Sequence, residues 1–247
     1  EKEMEFLYID GEHYVFMESY IVEADEVGWS VGEALAERAK AGVTVAFCID
    51  GYGSLTLDSG YLGFLEAHDV SVLLFRPLSI SKRAWPWSKR NHRKTLIVDG
   101  RIGFVGGMNV SDDYAPAERG GVGWRDTAVR IEGPAVATLE NMFRQLWQRW
   151  GGTPIDVAPR VSEAMPAGED VRFLGNFGHR DRSHIRLAYL RAILAATKTI
   201  RICNAYFIPD RVLSRALVRA ARRGVAVELI VAGTTDVQTA RWATRWY

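Results

Sequence analysis

The chain carries a strand–helix–strand unit twice. The first copy, "VFMESYIVEADEVGWSVGEALAERAKAGVTVAFCIDGYGS", starts at Val15, and the second, "IRICNAYFIPDRVLSRALVRAARRGVAVELIVAGTTD", at Ile200. Tyr20 pairs with Tyr206, Ala34-Leu35 with Ala216-Leu217 and Gly42-Val43 with Gly224-Val225, at offsets of 186 and then 182, so one short length change reconciles the copies. On this alignment Glu18 and Asn204 hold equivalent places near the strand ends, where they can line a cleft or serve the fold. The second helix is the clearer one. Pro209-Asp210 opens it with Asp as N-cap, Val212, Leu213, Ala216, Leu217 and Ala220 share a face, and Gly224 ends it. The closing strands, "VTVAFCI" and "VAVELIV", are nearly continuous apolar runs, as expected for parallel strands covered on both faces. The expected fold class is α/β, with two repeats of mixed β-sheet flanked by helices, the second repeat incomplete, and a cleft between them.

The flanks sharpen this picture. The second copy follows a strand, "VRFLGN" (Val171 to Asn176), and a helix, "HIRLAYLRAILAATKT" (His184 to Thr199). The first follows "MEFLYID", whose Phe6-Leu7 matches Phe173-Leu174 at an offset of 167, so about 19 residues corresponding to that helix are absent between His13 and Val15 and "DGEHYVFMESY" reads as two strands spliced together. "GPAVATLENMFRQLWQRW" is an amphipathic helix opened by Pro134, with Val136, Leu139, Phe143, Leu146, Trp147 and Trp150 as its buried stripe. The Pro-, Gly- and Ala-rich stretch after it has no periodicity and reads as a linker. The expected division is a first repeat over 1–151, a linker over 152–170, and the N-terminal part of a second repeat over 171–247.

At 247 residues, 48% apolar and 25% charged, the composition is that of an ordinary globular protein. The net charge of +1 gives no global field toward nucleic acid or membrane, so any steering must be local. Cys48 and Cys203 sit in apolar runs and read as buried reduced thiols. No apolar run reaches the roughly 18 residues of a membrane span. Lys82, Arg83, Lys89 and Arg90 flank Trp85 and Trp87, and "ARWATRWY" repeats that character with Trp242 and Trp246, a composition suited to the boundary between acyl chains and anionic headgroups.

The chemistry concentrates in "KRNHRKTLIVDGRIGFVGGMN". "HRKTLIVDG" reads as a strand ending in an Asp99-Gly100 turn, with "RIGFV" as the return strand. His92 and Lys94 then project from one side of the strand and Arg93 from the other. Gly106 and Gly107 end the hairpin where a bare backbone permits close approach to a ligand, and Asn109 comes back level with His92. An imidazole, an ammonium and a carboxamide around a hollow can attack, transfer protons and hold phosphate oxygens. No clustered Cys/His set and no carboxylate pair at metal spacing accompanies them, so no metal or other cofactor is expected.

His-x-Lys, four residues, Asp, then Gly-Gly-x-Asn resembles the signature of the phospholipase D superfamily, matched at His92, Lys94, Asp99, Gly106, Gly107 and Asn109. "YIVEADEVG", "DGYGS", "GWRDTAVRIEGPAV" and "NAYFIPD" bring the resemblance closer to bacterial cardiolipin synthases. The resemblance implies that each half of a duplicated chain supplies one motif. One histidine would form a phosphohistidine while the other protonates the leaving alcohol, and lysines and asparagines would hold the phosphate without a metal. It makes His92 the catalytic imidazole, Lys94 and Asn109 phosphate ligands, and Asp126 the carboxylate that accepts the histidine's other N–H. Asp99, though a signature residue, lies at the turn and more plausibly fixes the hairpin than touches substrate. The implied partners are an anionic phospholipid, phosphatidylglycerol, and a membrane surface approached from the cytoplasmic side as a peripheral protein, with no nucleic acid. The implied reaction is phosphatidyl transfer, with hydrolysis, nuclease action and an inactive phosphate-binding module as rivals. By the repeat interval, a second motif is due about 27 residues past Tyr247, and a homodimer of single motifs is the alternative.

Overall fold

The structure, a computed structural model, describes residues 13–78, 90–160, 168–175 and 183–232, so the tryptophan-bearing stretches 82–89 and 241–247 lie outside the described residues. The chain divides into two compact units, 1–173 and 174–247.

In the first unit, strands β1 (Tyr14–Ser19), β2 (Thr44–Asp50) and β3 (Ser71–Phe75) run parallel, joined through helices α1 (Glu26–Lys40) and α2 (Ser59–Ala67). Strands β4 (Thr95–Val98), β5 (Ile102–Gly106) and β6 (Ala128–Glu132) add antiparallel pairs, giving one mixed sheet in the order β3-β2-β1-β4-β5-β6. Aspartates start both helices: Asp25 Oδ1 accepts from Gly28 N at 2.8 Å, and Asp58 Oδ1 from Tyr61 N at 2.8 Å. Leu35, Tyr61 and Leu65 bury one face of the sheet against Val15, Val45, Phe47 and Ile49. On the other face helix α3 (Val136–Arg149) sets Phe143 on Phe16 with ring centroids 4.8 Å apart. Covering both faces explains the continuous apolar runs of β1 and β2. Trp150, expected in the α3 stripe, lies just past the helix end and is 40% exposed, with its ring edge against Phe75.

The β4–β5 hairpin turns at Asp99 and Gly100, both at positive φ (52° and 62°), the conformation a tight two-residue turn requires. The strand itself begins at Thr95 rather than His92. Part of the stretch expected to be a linker is tied to this unit: Thr153 O accepts from Trp147 Nε1, Arg160 N donates to Tyr14 Oη, and Arg160 Nη1 donates to Asp99 Oδ2.

The second unit's described part holds α4 (His184–Ala195), β7 (Thr199–Asn204), α5 (Arg211–Arg222) and β8 (Ala226–Val231), with β7 and β8 parallel. Residues 171–175 form no strand, contrary to expectation. Ile193, Ala216, Leu217, Ala220 and Val225 form its core, whereas Cys203 is exposed rather than buried. The repeat is visible in detail. Asp210 caps α5 as Asp25 caps α1, and Gly42 and Gly224 follow the two helices at φ 88° and 90°. The strand registers revise the alignment, however. Tyr14 faces Thr44 and Thr199 faces Ala226, so strand and N-cap share an offset of 185, and the length difference falls within the helices, 15 residues against 12. Asn204 therefore matches Ser19, and Cys203 holds the place of Glu18.

Candidate functional site

The segment Arg90–Lys94 enters β4 as extended chain with alternating sides. Lys94 Nζ lies 3.1 Å from His92 Nδ1 and also donates to His92 O at 3.1 Å. The two motif side chains therefore meet on one side, while Arg93 turns to the other and pairs with Glu18 at 2.7 Å. His92 is exposed at the surface, and Lys94 below it is 8% exposed. Tyr20, from the β1–α1 loop, packs its ring 4.5 Å from the imidazole and lies 5.1 Å from the Lys94 ammonium.

This crowding sets the charge states. Desolvation lowers Lys94 to about 8, against the opposing pull of Asp126 and Asp50. Partial desolvation and then the neighbouring Lys94 charge push His92 below 6.5, with Asp50 opposing. Near neutral pH the pair is a neutral imidazole beside a cation that gives up its proton readily. An arriving phosphate would restore the ammonium and complete its charge compensation. With Lys94 donating to Nδ1, the neutral imidazole's proton sits on Nε2.

Lys94 also lines a hollow of about 120 Å³ on the sheet, whose other walls include Met17, Leu96, Phe104, Met108 and Ala128. Apolar walls next to Lys94 suit an anionic ester that carries hydrocarbon.

The remaining motif residues are placed differently. Asn109 Oδ1 accepts from Ile21 N at 3.1 Å and its Nδ2 donates to Tyr114 Oη at 2.9 Å, so it braces the loop that carries Tyr20. Gly106 and Gly107 leave room for protein chain. A Cβ on Gly106 would stand 2.7 Å from Thr127 O and 2.8 Å from Ala128 Cα, and one on Gly107 2.2 Å from Asp126 Oδ2. Asp126 makes no hydrogen bond to the imidazole. Its Oδ1 accepts from Thr127 N at 2.6 Å, its charge acts on Lys94, and Lys94 occupies the Nδ1 position expected for it. Asp99 lies at the opposite end of β4, where Oδ1 accepts from His13 N and Tyr14 N at 2.7 and 2.9 Å, in the hairpin-fixing position.

Sequence reading passed over the support beneath the motif. Asp50, buried at the end of β2, accepts from Asn91 N through Oδ2 at 2.8 Å and from Tyr52 N and Gly53 N through Oδ1. Asn91 Nδ2 donates to Glu18 Oε2 at 2.7 Å and Thr95 Oγ1 to Glu18 Oε1 at 3.1 Å. The available signal was the alternation Asn91, Arg93, Thr95 on the side opposite His92 and Lys94.

Comparison with known proteins extends these observations. A family model described as "Cardiolipin synthase, PLD-like domain" matches residues 189–247. Cardiolipin synthase of Geobacillus kaustophilus is 33% identical over 240 residues, 96% of this chain and 48% of that protein. Cardiolipin synthase of Halalkalibacterium halodurans is 34% identical over 239 residues, 95% of this chain and 47% of that protein. The chain thus spans about half the length of these relatives. Among solved structures, phosphatidylserine synthase of Haemophilus influenzae shares the fold with TM-score 0.65 at 15% identity, over 92% of this chain and 58% of that one. With the hairpin motif on a mixed sheet flanked by helices, these matches make the chain similar to phospholipase D-like proteins, and to the cardiolipin synthases over about half of their length.

Proposed function

We propose that this chain is half of a phosphatidyltransferase that makes cardiolipin from phosphatidylglycerol, and that His92 and Lys94 form one of its two catalytic pairs. The observation that carries the reading is the His92–Lys94 contact at 3.1 Å beside a hollow with apolar walls.

In the proposed reaction one imidazole attacks the phosphorus of a phosphatidylglycerol. The bond to the headgroup glycerol oxygen breaks, and that oxygen takes a proton from the second imidazole. The phosphohistidine is then attacked by the glycerol hydroxyl of a second phosphatidylglycerol, whose proton returns to the second imidazole, giving cardiolipin and free glycerol in balance. Lys94 holds the charge that builds on the phosphate oxygens. A neutral His92 suits the nucleophilic role once exchange of its hydrogen-bond partner on phosphate binding frees Nε2 of its proton, whereas the proton-donating role requires the imidazolium. Asn109 acts on this reading by holding the Tyr20 loop, or turns to the phosphate when it binds.

A membrane surface fits the charge of the second unit. Arg211, Arg215, Arg219 and Arg222 are exposed on α5 and, at ~100° per residue, fall within an arc of about 80° opposite the buried Ala216, Leu217 and Ala220. Among the described residues none of the four is in an ion pair. Such a stripe attracts anionic headgroups. No helix among the described residues is long and apolar enough to cross a membrane.

The test is to supply the full-length protein with phosphatidylglycerol and separate the products. Cardiolipin and glycerol in equal amounts are expected. Phosphatidic acid without cardiolipin would make the protein a hydrolase instead.

A further inference from the structure

We propose that Glu18 is a positioning residue: by binding every second residue of the segment that enters β4, its one carboxylate sets the side to which His92 and Lys94 face. The inference rests on the reading of that pair as catalytic, and its geometry can be tested apart from activity.

The segment needs such a device. The β1–β4 ladder stops at the Glu18–Thr95 pair, and beyond it one longer main-chain bond, Gly106 N to Lys94 O at 3.3 Å, extends the pairing. Extended chain alternates its side chains, so a slip of one residue would send Arg93 into the site and His92 and Lys94 into the sheet. Glu18 opposes that slip. It is 1% exposed; it accepts from Asn91 Nδ2 at 2.7 Å and Thr95 Oγ1 at 3.1 Å, and it is ion-paired with Arg93, whose Nη2 lies 2.7 Å away outside hydrogen-bond alignment. Asp50 fixes the same segment from β2 through Asn91 N. The intervening residues, His92 and Lys94, have only the opposite side available.

Stability alone does not account for this arrangement. A buried ion pair is weak support for stability, because desolvation offsets much of its attraction, and its best-attested use is to specify register. The unit offers an internal comparison. Glu140 is equally buried, at 1%, and binds Tyr14 Oη at 3.0 Å and Arg144 Nε at 2.7 Å at the far end of the sheet. It is a carboxylate of the same kind with no motif residue attached.

The experiment uses full-length protein and four variants: Glu18→Gln, Glu140→Gln, Asn91→Ala and His92→Ala. The His92 imidazole is titrated by NMR, and kcat and KM are measured with phosphatidylglycerol. In Glu18→Gln, His92 should titrate away from its wild-type value as the imidazole and Lys94 lose their shared side, and kcat should fall about tenfold to a hundredfold with KM little changed. Glu140→Gln should lower the melting temperature comparably and leave both readouts at wild-type values. Asn91→Ala keeps the Glu18–Arg93 pair, so it reports even where Glu18→Gln fails to fold, and should show the same changes in smaller measure. Wild-type His92 titration in both Glu18→Gln and Asn91→Ala, or equal effects of Glu140→Gln, overturns the inference. Undiminished turnover in His92→Ala overturns the catalytic reading instead, and leaves the titration to judge Glu18.

Discussion

Adding a methyl group at Gly106 or at Gly107 should have opposite kinds of consequence, although the residues are adjacent. At position 106 the new Cβ would stand 2.7 Å from Thr127 O, 2.8 Å from Ala128 Cα and 2.9 Å from Ala128 Cβ. Two of these atoms are backbone in or beside β6, so β5 and β6 must separate by several tenths of an ångström. Overpacking of this kind costs about 1–3 kcal/mol, or on the order of 5 °C in melting temperature for a unit of this size. At position 107 every close atom belongs to the Asp126 carboxylate, with Oδ2 at 2.2 Å and Oδ1 at 2.4 Å. That side chain is exposed and can rotate, so Gly107→Ala should cost less than about 1 kcal/mol, reduced further by the smaller entropy of the unfolded chain. It should act on chemistry instead. The Asp126 charge supports the Lys94 ammonium, so moving the carboxylate alters the alkaline limb of the rate profile, and Asp126→Asn should move that limb to lower pH. The assay is thermal unfolding beside the pH dependence of kcat/KM. Equal destabilisation by the two substitutions, or an alkaline limb that Asp126→Asn leaves in place, refutes the placement of this loop.

Further outcomes follow from the same geometry. Asp99→Ala removes two charge-assisted bonds to His13 N and Tyr14 N and should cost about 2–4 kcal/mol in denaturant unfolding, while Asp99→Asn keeps an acceptor and costs about 1 kcal/mol, with kcat unchanged in both. Catalysis needs neutral His92 and cationic Lys94, so kcat/KM should rise through a limb below pH 6.5 and fall through one near 8, and Lys94→Arg should abolish the second limb while lowering the rate. Between about 8 and 10.5 the unfolded chain carries the proton that folded Lys94 has released, so stability should rise with pH across that window in chemical unfolding. Arg215→Gln with Arg219→Gln should weaken flotation with vesicles containing phosphatidylglycerol by roughly fivefold per arginine and leave binding to neutral vesicles unchanged.

How much of this was legible in the sequence depended on how local the cause was. The Asp99-Gly100 turn, the Asp25 and Asp210 caps and the glycines ending α1 and α5 follow from the conformational preferences of single residues, and the structure has them where the spacing put them. The meeting of His92 and Lys94 followed from the period of extended chain, even though the regular strand begins only at Thr95. What did not follow came from distant chain. Asp126 approaches along a loop of some twenty residues whose path no periodicity fixes, so its bond to Thr127 N and its action on Lys94 through charge alone could not be read. The Gly106-Gly107 pair looked like room for a ligand because the sequence does not reveal that residues 126–128 fill that room. Glu18 lies 73 residues before Asn91 and becomes its partner only once β1 and β4 pair. The identity of Tyr20 with Tyr206 misplaced the alignment by one residue, because matching letters cannot tell a shorter helix from a shorter loop.

The most direct measurement titrates the protein with a soluble short-chain glycerol phosphodiester while following the ring resonances of His92 and the side-chain resonances of Lys94. Both sets should shift along a single binding curve, and Lys94 should titrate above its unliganded value of about 8 in the complex. Separate binding curves, or a phosphodiester that moves one residue and leaves the other still, would contradict the convergence of this imidazole and this ammonium on one phosphate.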